Sequence, residues 1–178
     1  MAAAMRVPGN RTKAGMTFVD LLIGSSVLVV TLLALMGVFL GQVTMNEHAR
    51  NLALATNDVN RVMEQVRRQN TGAGCLSPSV LPPAGFAAWD AWLADTSAVG
   101  GGGKSLSLNP GVNELVVVSS VGTDPLAVTV AVCWRQRGRT IGECAWNGAV
   151  LSAAPGLGGN LNVTESPAML STALTCRR

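Results

Sequence analysis

The chain has 178 residues, of which 48% are hydrophobic and only 13% charged, a composition that excludes disorder throughout. Its formal charge of +3 is carried by Arg6, Arg11 and Lys13 near the start, and from residue 16 onward bases and acids balance. A nucleic-acid footprint needs basic residues gathered on one folded face. The remaining basic groups, Arg135 with Arg137 and Arg139, and the tail Arg177-Arg178, lack interleaved aromatics for base stacking. They read as solvated surface and leave nucleic-acid binding undetermined.

Residues 1–15 are polar and basic, include Pro8 and Gly9, and predict a leader with no fold of its own. After Met16-Thr-Phe-Val-Asp20 comes an uncharged run from Leu21 to Asn46. As a helix this run extends about 39 Å at ~1.5 Å per residue, more than the ~30 Å hydrocarbon core of a bilayer. It predicts a transmembrane segment, with the positive flank in the cytoplasm and the rest outside. An ordinary cleavable secretory signal has an apolar core of about 7–15 residues closed by a small-x-small site. This run is longer, and Ala53-Leu54-Ala55 lies beyond Glu47 and Arg50.

From Glu47 to Gln69 the pattern turns amphipathic. Leu52, Ala55, Val59, Val62 and Val66 recur at helical spacing, which predicts one apolar stripe that needs a cover. Asp58, Arg61, Glu64 and Arg68 follow at three- and four-residue intervals and read as pairs on the opposite side. No proline stands between Pro8 and Pro78, so one helix from Thr17 to Gln69 is expected. Gly24, Gly37 and Gly41 lower local propensity within it.

Thr71-Gly-Ala-Gly74 ends that helix, and Pro78, Pro82 and Pro83 open an irregular segment. A short helix is expected around Phe86–Leu93. Strands are predicted at 104–108, 114–121, 126–137 and 139–146, with turns at Asn109-Pro110-Gly111 and Thr123-Asp124-Pro125. The tail from Gly148 reads as loop with one short strand near Asn160–Thr164. The fold class is therefore α+β: a long N-terminal helix whose distal stripe is covered by one face of an antiparallel sheet.

The chemistry-bearing residues are sparse. The four cysteines form no Cys-x-x-Cys, and His48 is the sole histidine; a zinc site lacks its paired ligands. No nucleophile, base and acid arrange as a triad, so no catalytic residue, metal or cofactor is expected. Ala98-Val-Gly-Gly-Gly-Gly103-Lys104-Ser105 fits a relaxed phosphate-loop pattern. That loop works between a strand and a helix, and here a helix-like stretch precedes it and a strand-like one follows. A flexible turn is the expectation.

The informative run is Lys13-Ala14-Gly15-Met16-Thr17-Phe18-Val19-Asp20-Leu21. A short basic leader, a glycine, then an apolar helix interrupted by one carboxylate: this resembles the signal of type IV prepilins and pseudopilins. The resemblance implies the type IV pilin fold, cleavage after Gly15 by a prepilin peptidase, and N-methylation of Met16. It covers the leader and the long helix, with the sheet adding a matching outline. Asp20 stands where the family usually has glutamate, and Met16 where phenylalanine is commoner. Both changes keep the chemistry and suggest a minor component. Cleavage exposes an amine about 6 Å from Asp20 along the helix, and an unpaired carboxylate deep in a bilayer costs about 2.5–3.5 kcal/mol. A neighbouring subunit's Met16 amine would neutralise it, which assigns Asp20 to assembly and register. A carboxylate snorkelling from a plain signal anchor is the alternative.

The cysteines, in an exported domain, read as two disulfides. A tight turn at Gly138-Arg139 sets Cys133 opposite Cys144, within disulfide range. Cys75 and Cys176 then remain, and the resemblance makes such a closing bond of the tail plausible. Free buried thiols are the competing reading.

The expected organisation is a prepilin leader over 1–15, a transmembrane and assembly segment over 16–46, and a periplasmic head over 47–178. The resemblance implies a minor pilin that primes or tips a type IV pilus, or else a minor pseudopilin of a type II secretion system. Its partners would be other pilins through the N-terminal helix, the prepilin peptidase and an inner-membrane assembly platform. It would wait in the inner membrane with its head in the periplasm, then enter an extracellular pilus or a periplasmic pseudopilus. A single-pass membrane-anchored sensor or binding module is the reading from another class.

Overall fold

The computed structural model describes residues 17–71, 75, 77–107, 111 and 113–176. Gly15 and Met16, the turn residues Asn109 and Pro110, and the tail Arg177-Arg178 lie outside the described residues. Helix α1 spans Phe18–Gln69. The boundary between two compact units falls inside it, after Met45.

In the first unit the large side chains of α1 remain open: Phe18, Leu22, Leu28, Leu33, Phe39 and Leu40 are all exposed, Leu40 to 68%. Ser25, Ser26, Thr31 and Thr44 return their hydroxyls to carbonyls three residues back, at 2.7–2.9 Å. These bonds satisfy the hydroxyls without water, a solution suited to an apolar surrounding.

In the second unit α1 carries a stripe of Ala55, Val59, Val62, Met63 and Val66, each 1% exposed or less. A short helix, α2 (Trp89–Ala94), follows the proline-rich segment. The sheet is built around β2 (Leu126–Gln136), which pairs antiparallel with β1 (Glu114–Val121) along one side. Its other side is shared end to end by β3 (Arg139–Ile141) and β6 (Ala168–Leu174). A separate two-stranded sheet joins β4 (Cys144–Trp146) to β5 (Leu151–Ala153).

The alternation of β2 explains how both faces are used. Val128, Val130, Val132 and Trp134 are fully buried in one cluster with the α1 stripe, Trp92 and Leu93. On the opposite face Cys133 joins Cys144 and Leu151 in a second cluster, with Leu115, Val117 and Trp146 against it. The small sheet thus packs on this face at Cys133, while Ala127 farther along it stays exposed.

The long helix, β1 and β2 lie where periodicity puts them, and the α+β layout holds. The expected 139–146 strand is two strands, because the chain bends at Gly142 (φ 93°). The hairpin turn is one residue earlier than expected: Gln136 pairs with Arg139, and Arg137 (φ 50°) and Gly138 (φ 78°) form the loop. Two positive φ values mark a type I′ turn, whose second position suits glycine. Lys104–Ser107 is not a strand; the N–H groups of Ser105 and Leu106 go to the Asp58 and Glu114 side chains instead of to a ladder. No strand occurs at 160–164, and β5 and β6 lie where loop was expected.

Both disulfides join cysteines that the sequence pairs. Cys133–Cys144 spans 6.2 Å between Cα atoms and Cys75–Cys176 spans 5.6 Å. The route to the first differs from the hairpin arithmetic. With the turn at Arg137-Gly138, Cys133 has no strand partner in β3, and the bond instead ties β2 to the small sheet. Cys75–Cys176 closes a separation of 101 residues.

Leu93, with 0% exposure, tests the core. Leu93→Ala is expected to lower stability to chemical denaturation by about 2–5 kcal/mol, whereas Leu40→Ala leaves the unfolding of the head unchanged.

Candidate functional site

The first site is the start of α1. Thr17 precedes the helix, and its N–H and hydroxyl both donate to Asp20 Oδ2, at 3.0 and 2.7 Å. The Asp20 N–H donates back to the Thr17 hydroxyl at 3.3 Å. This reciprocal pair is a capping box with aspartate in the glutamate position, and it also sets a negative charge in the first turn, where the helix dipole favours one. The sequence carried the signal as Thr17-x-x-Asp20. Asp20 is exposed, and its Oδ1 has no hydrogen-bond partner among the described residues. One oxygen holds the cap and the other is open. The helix that begins here is long and apolar enough to cross a membrane, and none of its most apolar stretch is buried.

The second is a buried polar network in the head that sequence reading missed. Asp58 was expected on the outer side of α1 but is 0% exposed. Its Oδ1 takes Arg61 Nη1 at 2.9 Å and the Ser105 hydroxyl at 2.7 Å, and its Oδ2 takes the Ser105 N–H at 2.7 Å. Arg61 goes on to the carbonyl of Gly103 at 2.8 Å and to that of Gly101. Lys104 is buried against Asp90 Oδ1 at 2.7 Å and also donates to the Glu114 carbonyl. Asp90 further accepts the N–H groups of Val116 at 2.8 Å and Gly111 at 2.7 Å.

This network answers the phosphate-loop resemblance. The glycine run is not a cradle for phosphate: its N–H groups are used internally. Gly101 donates to the Trp92 carbonyl at 2.7 Å, Gly102 to Asp95 at 2.9 Å and Gly103 to Leu93 at 2.9 Å, so the run folds back on the end of α2. A Cβ on Gly101 would lie 2.6 Å from the Leu93 Cα, which is why glycine is needed there. Lys104 points into the protein. The run is held by Arg61, so the expected flexible turn is a fastened one.

Two ion pairs, Asp58–Arg61 and Asp90–Lys104, leave one carboxyl over. Glu114 is fully buried, accepts the Leu106 N–H at 3.1 Å through Oε2, and has no partner for Oε1 among the described residues. Burial, and after it the adjoining Asp58 carboxylate, push Glu114 up to about 8, against the pull of Lys104 and the Leu106 N–H. Glu143 shows the opposite balance. The Glu165 N–H at 2.9 Å and the Gly158 N–H hold its carboxyl below the ordinary range and fix the loop between them.

Among the described residues no group of three or more His, Cys, Asp or Glu side chains is placed to hold a metal. His48 meets Gln136 at 3.1 Å, and Arg137 pairs with Glu47 at 2.7 Å. Compared with known proteins, the chain matches no family model, no curated protein and no solved structure.

The Glu114 carboxyl has a measurable consequence. Its folded pKa lies above its unfolded value, so the folded state holds the extra proton between about pH 4.5 and about 8. Stability from this group is complete below that window, falls as pH rises through it, and levels off above it. The slope is at most about 1.4 kcal/mol per pH unit. Glu114→Gln should flatten the decline and make the head more stable than the parent at pH 9, as read by urea midpoints across pH.

Proposed function

We propose that the chain is a type IV pilin-like subunit, most like a minor pilin that primes or tips a pilus, and that it acts structurally and not as an enzyme. One observation carries this reading: the only charged residue of the exposed apolar helix segment is a carboxylate in its first turn, five residues after a glycine that closes a basic leader. In this reading a prepilin peptidase cuts after Gly15, Met16 gains a methylated amine, and the membrane holds α1 until an assembly platform extracts it. The amine of one subunit then meets the Asp20 of its neighbour and sets the stagger of packed helices. Such packing gives the exposed side chains of α1 a cover outside the bilayer. The two disulfides support the accompanying location, a head that faces an oxidising compartment. A minor pseudopilin of a type II secretion system satisfies the same chemistry with a different machine.

The capping box favours a second reading, a single-pass anchor for a periplasmic binding or sensor module, because a cap gives Asp20 a purely local task. The two readings separate by mutation. Thr17→Ala and Asp20→Asn both weaken the cap, at a cost of about 1 kcal/mol. Only Asp20→Asn removes the charge offered to a neighbour. With a photocrosslinker at Leu22 in host membranes, we expect Asp20→Asn to lower crosslinking to other pilin-like helices by about tenfold or more, the equivalent of ~1.4 kcal/mol. Thr17→Ala should retain most of it. Equal losses in both variants would leave Asp20 as a cap and favour the anchor.

A further inference from the structure

The loop between β2 and β3 rests on the first charged turn of α1, where Arg137 pairs with Glu47 at 2.7 Å and Gln136 meets His48 at 3.1 Å. Beside it lies a cavity of about 330 Å³ lined by Asn51, Leu106, Asn113, Arg135, Arg137 and Gly138. Among the described residues the lining holds two guanidinium groups and two carboxamides and no carboxylate. Its rim at Gly138 is open, since a Cβ there would meet nothing within 4 Å. Arg50, next to Asn51 on α1, and Arg139, next to Gly138, are both exposed. Within Glu47–Asn51 and Arg135–Arg139, four arginines stand against the single carboxylate of Glu47.

Arg135 is the cation left unused. Its guanidinium lies over the Trp146 ring, 3.9 Å from the centroid, a contact that fixes its plane and takes none of its N–H donors. Its Nε is buried with no hydrogen-bond partner among the described residues, and no ion pair there includes it. A buried donor without an acceptor is costly to the fold, and an anion in the cavity would supply the acceptor. The planar fork of a guanidinium matches the oxygens of a phosphate, and Asn51 and Asn113 bring further amide donors.

The place of the cavity along the chain names the source of that phosphate. Asn46 ends the uncharged run of α1, and Asn51 lies about 8 Å beyond it at ~1.5 Å per residue. The headgroup layer on each side of a hydrocarbon core is about 5–8 Å deep. A bilayer that holds the apolar run therefore brings its phosphates to the level of this cavity. We propose that the cavity binds the headgroup phosphate of an anionic phospholipid, in the leaflet on the side of the head, with Arg135 as its principal ligand. Basic side chains at that depth favour anionic over neutral lipid. A lipid held there clips the β2–β3 hairpin to the bilayer and must be released when α1 leaves it. The inference rests on α1 spanning a bilayer, a condition that the filament subunit and the plain anchor share.

Full-length protein tests this in two stages. Cofractionation with phosphatidylcholine vesicles reads the membrane hold of α1 by itself, with no anionic lipid present. Native mass spectrometry of the chain in neutral-detergent micelles then counts bound phosphatidylglycerol and phosphatidylcholine, added at equal concentration. Phosphatidylglycerol should bind about tenfold more tightly, and Arg135→Gln should bring it down to the phosphatidylcholine level. Asn51→Asp sets a carboxylate in the cavity and should do the same, which keeps the test open if Arg135→Gln unfolds. Asn57→Asp, the same change of charge at an exposed position of α1, should leave phosphatidylglycerol binding nearly unchanged. Inorganic phosphate in large excess should displace little of the lipid, whose tails are held as well. The proposal is overturned if the two lipids bind alike, or if neither Arg135→Gln nor Asn51→Asp lowers phosphatidylglycerol binding more than Asn57→Asp does. It is also overturned if inorganic phosphate displaces the lipid fully, which would make the cavity a site for a soluble anion. Failure to cofractionate with the vesicles would overturn it together with the membrane span on which it rests.

Discussion

The head rests on one contact, the burial of the α1 stripe against the even-numbered face of β2. Val59, Val62 and Val66 on the helix meet Val128, Val130, Val132 and Trp134 on the strand, all of them at or near zero exposure. Apolar surface withdrawn from water in this cluster stabilises the head at roughly 25 cal/mol per Å². The remaining elements are arranged around it. β1 and β6 flank β2 in the sheet, α2 adds Trp89, Trp92 and Leu93 to the cluster, and the small β4–β5 sheet packs on the other face of β2 at Cys133. Cys133–Cys144 ties that small sheet to β2 at a residue with no strand partner in β3.

The same helix meets an opposite constraint in its first half. No protein element among the described residues covers Phe18–Met45, and its hydroxyls turn back to their own carbonyls. This segment is long and apolar enough to cross a membrane, and charge returns to the sequence only beyond Asn46, at Glu47 and Arg50. Asp20 is the single charged residue of Phe18–Met45, and among the described residues its carboxylate is taken up by the Thr17 N–H and hydroxyl.

Much of this was legible in the sequence, for reasons that differ by element. The helix and the strands β1 and β2 declare themselves through periodicity, which is a direct print of burial on one face. β6 does not, since Ala168-Met-Leu-Ser-Thr-Ala-Leu174 alternates weakly and sits in a tail rich in glycine and serine; its pairing to β2 is a tertiary fact. The buried network was hidden for a related reason. A three-residue spacing brings Asp58 beside Arg61 along the helix but does not say on which side, and Ser105, which takes both Asp58 oxygens, comes from 47 residues away. Glu114 and Lys104 look like ordinary surface charges until the fold closes over them. The capping box was present as Thr17-x-x-Asp20, overlaid on a carboxylate that already had another explanation.

The proposed pilin-like subunit requires removal of residues 1–15 and a free, modified amine at Met16. Mass analysis of the protein's N-terminus, purified from its native host membranes, reads both at once. A chain that begins at N-methylated Met16 is the predicted result. A chain that retains residues 1–15, or is cut at any other site, would contradict the shared amine–carboxylate contact and with it the assignment as a pilin-like subunit.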